Sequence, residues 1–216
     1  MARAKLRGDP VYRAVLSSGW LPAAGVLVDI GCGPGLLLAL VAQAVDEAHE
    51  GKWPPDGWPA APVDLRLHGI ELRPRAAELA RYALGDAAEI QTADACAANF
   101  PPAVDLVAIF DVLHLMDRDA QRPLIARVVA AMRPGAILLV READAAAGWR
   151  FRMVRFGNRI TALLRGRWRP RFAFRTAADW RAELASLGLE VTVAPMGEGT
   201  PFANVLLVAR RPDGAA

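Results

Sequence analysis

Cysteine is scarce. The chain of 216 residues holds two, Cys32 and Cys96. Two thiols make no disulfide framework and no cysteine-based metal cluster, so no metal site is expected, and both should stay reduced in a cytoplasmic compartment. Long apolar runs are missing as well: none approaches the ~18–20 residues of a membrane-spanning helix. The opening stretch MARAKLRGDP is charged and lacks an apolar segment leading to a small-residue cleavage site, so no secretory signal is expected. There is no internal repeat, and low complexity is confined to the closing PDGAA. What is left is a globular, soluble chain. Apolar residues make up 54% and charged residues 23%, and the length suits one domain with a real core.

Acid is missing from one long interval. Between Asp144 and Asp179 there is none, while nine arginines occur at 150, 152, 155, 159, 165, 167, 169, 171 and 175. Subtracting those nine from the formal net charge of +3 leaves the remainder at −6. A basic block on an acidic body says more about partners than the total does.

What is present alternates. Residues 1–22 read as an N-terminal helix ending near Gly19 and Pro22, and residues 26–30 as a short buried strand. LLLALVAQAVDEAHE carries a helix period, and GKWPPDGWPAAP is a loop rich in proline and glycine. DLRLHGIEL predicts a strand, PRAAELARYAL a helix opened by proline, and EIQTADA a strand. AVDLVAIFDVLHLM predicts a longer strand, DAQRPLIARVVAAM a helix stopping at RPG, and AILLVREAD a fifth strand. After the basic block, AADWRAELASLGL predicts a helix closed by Gly188. EVTVAPM and FANVLLVARR predict two strands joined by GEGTP and paired antiparallel at the sheet edge. Alternation over the first two-thirds implies crossover units: a doubly wound, mostly parallel sheet with helices on both faces.

The first strand runs into VLVDIGCGPG, where three glycines at alternate positions follow Asp29. A dinucleotide turn wants its last glycine at the sixth place, beside the pyrophosphate; here that place is Leu36 and glycine stands at the fifth, Gly35. An acid facing a phosphate ~4 Å away is repelled by about 4 kcal/mol at an effective dielectric of ~20, and it attracts a cation by a similar gross amount. The turn is therefore matched to a nucleoside carrying positive charge. The alternative for Asp29 is a cap on the turn's own N–H groups.

At these residues the chain resembles the class I (Rossmann-like) methyltransferase family, whose first motif is similar to Asp29-Ile30-Gly31-Cys32-Gly33-Pro34-Gly35. The resemblance covers roughly residues 26–145 and the closing strand pair. It implies a seven-stranded sheet with an antiparallel last strand, S-adenosylmethionine as cofactor and S-adenosylhomocysteine as product. It further implies that Gly31, Cys32, Gly33 and Gly35 let the backbone approach the cofactor and that Glu71 takes the ribose hydroxyls, with Leu72 beside it. Asp94 and Ala95 then hold the adenine end, and Asp111 and Val112 line the cofactor wall. Gly135 followed by Ala136 departs from the family's usual glycine pair. Cys32 is read as a small residue tolerated in the turn, not as a nucleophile. His114 is the candidate general base, since an imidazole can take a hydroxyl proton at neutral pH; the alternative is a histidine that only packs. Tyr12 and Arg13 are expected to close over the cofactor.

In the basic block, a helix from Trp149 to Leu164 gathers Trp149, Met153, Phe156, Ile160, Leu163 and Leu164 on one face, with Arg152, Arg155 and Arg159 on the flank and back. RGRWRPRFAFR follows. Three readings stay open: a core-packing helix with a solvated arginine face, a cap over the acceptor pocket, or a helix lying in an anionic membrane interface. As a cap it would bring Trp149, Arg152 and Phe156 to the substrate. The organisation expected is an N-terminal helix (1–22), a cofactor core (26–145), a basic cap or interface segment (146–178) and a closing helix with its strand pair (179–211). The activity expected is O-methylation of a small or lipid-like acceptor, taken from an acyl carrier protein or an anionic membrane surface. Nucleic acid ranks lower as a partner, because the acceptor-side residues are Asp111-Val112-Leu113-His114. The rivals are a module that keeps the cofactor fold and works through its basic helix at a membrane or on RNA, and an RNA methyltransferase.

Overall fold

The computed structural model describes residues 9–164, 172–197 and 202–214, and among them the side chains of 161–164 are not described. Four expectations therefore lie outside the described residues: the helix over residues 1–8, the arginines of RGRWRPR, the GEGTP turn beyond Gly197, and the place of Leu163 and Leu164 on their helix face.

Chain order is α1 (Pro10–Ser17), β1 (Ala24–Ile30), α2 (Leu36–His49), β2 (Asp64–Glu71), α3 (Pro74–Leu84), β3 (Glu89–Thr92), β4 (Val104–Phe110), α4 (Arg118–Ala131), β5 (Met132–Ala143), α5 (Gly148–Leu164), α6 (Ala177–Ser186), β6 (Glu190–Pro195) and β7 (Asn204–Arg210). The seven strands form one sheet in the order β3-β2-β1-β4-β5-β7-β6. Pairs among β1 to β5 are parallel, and β7 runs antiparallel to both β5 and β6. This is the expected Rossmann-like α/β sheet. Its last strand is inserted beside β5, which leaves β6 at the edge.

Period-two alternation builds two cores from the same strands. Leu27, Leu106, Leu139 and Leu206 face a cluster that includes Val15, Leu38 and Ala80 from α1, α2 and α3. Val28, Ile109, Leu138 and Leu207 face the other way, against Leu124 and Val128 of α4 and Trp180 and Leu184 of α6. The central strands are apolar on both faces because helices cover both.

The N-terminal helix stops at Ser17, short of the expected Pro22, and β1 starts at Ala24, two residues early. Three further boundaries bear on the site. β4 stops at Phe110, not at Met116: Asp111 takes φ +58 and a 3₁₀ turn follows at Leu113–Leu115. β3 ends at Thr92, and Asp94 lies in the turn beyond it, where its carbonyl accepts from the Ala97 and Ala98 amides. β5 starts at Met132, so RPG lies inside the strand.

One buried acid braces the amino-terminal side of the sheet. Asp105 on β4 accepts the Val26 N–H at 2.8 Å and pairs with Arg133. Gly25 has no room for a side chain there, since a Cβ would stand 2.0 Å from the Asp105 carboxylate. Asp105→Ala leaves the Val26 N–H buried without its acceptor. The expected cost is about 1–3 kcal/mol, read as a lower urea midpoint at unchanged slope; an unchanged midpoint would show that the brace is not structural.

Candidate functional site

Five neighbouring strands end on one edge of the sheet, and each brings a polar residue there. Asp29 is the last residue but one of β1, and Glu71 closes β2. Asp94 follows β3 and Asp111 follows β4. Arg141 and Glu142 lie near the end of β5. The chain winds outward from β1 to β3 and then jumps to β4, so the crevice over the β1–β4 junction is the switch point where α/β sheets bind ligands.

The glycine turn has little left to offer an anion. The Gly31 and Cys32 amides donate to the Ile70 carbonyl at 2.7 and 3.2 Å, and the Gly35 amide donates to the Cys32 carbonyl at 3.0 Å. The Gly33 amide donates to Glu71 Oε2 at 2.8 Å. Gly31 sits at φ +75, and a Cβ there would come within 2.2 Å of Val112 Cγ2, so the turn is pressed against the segment after β4. Cys32 is buried. Desolvation, with Asp29 and Glu71 nearby, pushes its thiol well above the ordinary range, which suits a packing residue.

Glu71 is buried and accepts four hydrogen bonds. Besides Gly33, Oε1 takes the Arg73 amide and Arg73 Nε, both at 2.9 Å, and Oε2 takes Arg73 Nη2 at 3.3 Å. Burial alone would raise its pKa, but the Arg73 and Gly33 donors outweigh burial and hold it below the ordinary value. Leu72, the next residue, is largely exposed beside it. Asp94 is exposed, and its Oδ1 accepts the Cys96 amide at 2.9 Å. The half-buried Ala95 and the residues after it are tied down by Arg127, which donates to the Ala95, Cys96 and Ala98 carbonyls.

A second cluster ties the N-terminal helix to the same edge. Arg141, 1% exposed, pairs with both Asp9 and Asp111. Asp9 is also the N-cap of α1, accepting the Val11 amide at 3.3 Å ahead of Pro10. Tyr12 is buried within this group. Burial, and then Asp9, Asp29 and Asp111, outweigh Arg141 and hold its hydroxyl protonated far above neutral pH. Tyr12 thus lies at this edge of the sheet, beside Arg141 and the three acids. Arg13 does not: it is exposed, with its guanidinium 5.8 Å from the Trp58 ring.

His114 is not at a strand end. It is buried in the 3₁₀ turn, with Nδ1 2.7 Å from Glu142 Oε2 and its amide donating to Glu142 Oε1 at 3.3 Å. Phe174 stacks on the imidazole at 4.5 Å and 8°, and Phe151 of α5 meets Phe174 edge-on. The Ala173 amide donates to the His114 carbonyl at 2.9 Å, and Gln121 Nε2 bridges the Leu113 and Ala173 carbonyls. Burial would lower the His114 pKa, but Glu142 and then Asp111 outweigh it and raise it. From α5, Phe151 is what reaches this group; Trp149, Arg152 and Phe156 lie on exposed faces.

Glu142, Arg141, Arg73 and Asp9 had no part in the sequence reading. The signal available was in VREA, where two charges interrupt a strand otherwise apolar on both faces. Replacing Arg141 by Gln strands Asp9 and Asp111 without a counter-charge. The expected loss is about 2–4 kcal/mol, below the ~3–5 of a fully buried pair because Asp111 is partly solvated. Denaturant unfolding checks it, and a loss under about 0.5 kcal/mol would mean the cluster is no more than a surface ion pair.

A profile of the family described as "Methyltransferase domain" matches residues 28–138, just over half of the chain. No curated protein matches the sequence. Among solved structures, an O-methyltransferase family protein from Burkholderia thailandensis is 18% identical with a TM-score of 0.64, the match covering 100% of this chain and 58% of that one. The mitomycin 7-O-methyltransferase MmcR is 27% identical at the same TM-score, covering 96% and 54%. The magnesium protoporphyrin IX methyltransferase ChlM from Synechocystis PCC 6803, solved with bound SAH, is 18% identical, also with a TM-score of 0.64, covering 96% and 83%. The chain spans just over half the length of the first two. The profile runs from β1 through the glycine turn and the acid-bearing strand ends into β5, and the chain belongs to the methyltransferase domain family in its class I, Rossmann-like form.

Proposed function

We propose that the chain is an S-adenosylmethionine-dependent methyltransferase that methylates an oxygen of a small or lipid-like acceptor, with His114 as general base. The observation that carries this reading is the buried His114–Glu142 pair, its ring nitrogen and carboxylate oxygen 2.7 Å apart. The residues at the strand ends fit the cofactor. Asp29 and Asp111 suit its cationic end, Glu71 its ribose hydroxyls, and the exposed Leu72 its adenine face, with Asp94 and Ala95 at the amino group. When bound, S-adenosylmethionine supplies an activated methyl carbon and a neutral thioether leaving group.

Glu142 fixes the imidazole by accepting at Nδ1, which leaves Nε2 as the basic nitrogen. In that tautomer His114 would take the proton that the acceptor's hydroxyl loses on receiving the methyl group. The charge of Glu142 stabilises the imidazolium that results. Phe151, Phe172 and Phe174 give the acceptor an apolar wall, which suits a lipophilic or aromatic alcohol. Alignment of oxygen, carbon and sulfur supplies much of the acceleration. The mitomycin 7-O-methyltransferase, at 27% identity, supports oxygen as the receiving atom. The arginine block suits an acceptor presented on an anionic carrier or surface.

Two expectations test this. Glu71→Ala weakens S-adenosylhomocysteine binding by about 1–3 kcal/mol in calorimetry, the scale of lost charged hydrogen bonds. Arg73→Ala leaves it equal or tighter, because the ribose must displace that guanidinium from Glu71; equal losses in both variants would remove Glu71 from the ribose.

For the base, the acid limb of turnover lies above the ordinary histidine value of ~6.5, since His114 must be neutral to accept a proton. Glu142→Gln shifts that limb to lower pH and slows turnover, while His114→Ala slows turnover with cofactor affinity intact. The stability that the charged pair contributes is complete below ~6.5 and is lost as pH rises through the raised value. A flat turnover profile from about pH 6 to about 9, unmoved by His114→Ala, would take the role from His114.

A further inference from the structure

Helix α5 turns its apolar face outward. Trp149 is 64% exposed, Met153 45%, Phe156 67% and Ile160 41%. At about 100° per residue these four fall within a sector of about 60°, so they form one narrow apolar stripe. The helix is held from another side. Val154 is buried, Phe151 meets Phe174 at 5.1 Å, and Arg150 Nη2 donates to the Gly197 carbonyl at 3.1 Å. Arg152, Arg155 and Arg159 make a second stripe beside the apolar one and are exposed. The core-packing reading of this face is therefore set aside.

We infer that α5 is an interfacial helix that seats the protein on an anionic lipid surface, with Trp149, Met153, Phe156 and Ile160 entering the headgroup–acyl boundary and Arg152, Arg155 and Arg159 meeting lipid phosphates. Charge complementarity selects this occupant. The segment from 145 to 178 holds nine arginines and no acid, so a second copy docked through the same face would set like charges against each other. Nucleic acid would use the arginines and the aromatic rings, but Met153 and Ile160 give a base nothing to stack on, whereas acyl chains accept all four residues alike. Among the described residues no helix is long and apolar enough to cross a membrane, so the contact lies along the surface. The buried side of the same helix carries Phe151 into the aromatic wall around His114. Seating therefore places that wall next to a lipid reservoir.

Cosedimentation with vesicles of phosphatidylcholine containing about a third phosphatidylglycerol tests this, against vesicles of phosphatidylcholine alone and with salt raised from about 0.05 to about 0.5 M. The full chain should bind the anionic vesicles and release as salt rises. Met153→Gln with Phe156→Gln, and separately Arg155→Gln with Arg159→Gln, should each lower that binding about tenfold or more. Affinity for S-adenosylhomocysteine should stay unchanged in both, which certifies the fold and keeps the nucleoside site as a separate test. Equal binding to neutral vesicles, no vesicle binding, or full binding by either variant overturns the inference. So does dimerisation or single-stranded RNA binding that the same variants abolish while vesicles are ignored.

Discussion

The Gly33 amide donates into a buried carboxylate, and the rest of the site follows from that bond. It turns the glycine loop inward, toward β2, and makes Glu71 the polar floor of the crevice. With the Gly31, Cys32 and Gly35 amides also satisfied inside the protein, a phosphate arriving at this turn meets carboxylates where it needs donors. A ligand that brings its own hydroxyl donors and a positive charge meets acceptors.

A second constraint sets the far wall. Arg141 holds Asp9 and Asp111 together across 132 and 30 residues of chain. That bond makes α1 part of the site, because Asp9 both starts the helix and anchors it, and Tyr12 is buried as a result. One strand supplies the anchor of both clusters: Arg141 holds Asp9 and Asp111, and the next residue, Glu142, holds His114. Adjacent residues on a strand point to opposite faces, so two neighbours on β5 can serve two clusters.

The fold was legible where its causes are local. Alternating apolar runs, prolines at helix starts and glycines at turns marked every strand and α-helix of the described residues, with errors at their ends and the two 3₁₀ turns missed. The end of β4 was missed because Asp111 takes a left-handed backbone, which an aspartate tolerates but does not announce. Asp29, Glu71 and Asp94 stood out because each stands at or just past the end of a strand. Glu142 did not, since its meaning depends on a histidine 28 residues away and its own surroundings read as buried strand. The face of α5 shows the limit most plainly. Periodicity grouped Trp149, Met153, Phe156 and Ile160 correctly, yet nothing in the spacing says whether such a face turns toward a core or away from it.

The central claim is that the crevice is built for a phosphate-free cationic nucleoside. Isothermal titration of the full chain with S-adenosylmethionine, S-adenosylhomocysteine, NADH and ATP tests it most directly. The account predicts saturable heat with the first two and none with the phosphate-bearing pair. Tight binding of NADH or ATP, with no heat from either adenosyl sulfur compound, would contradict it.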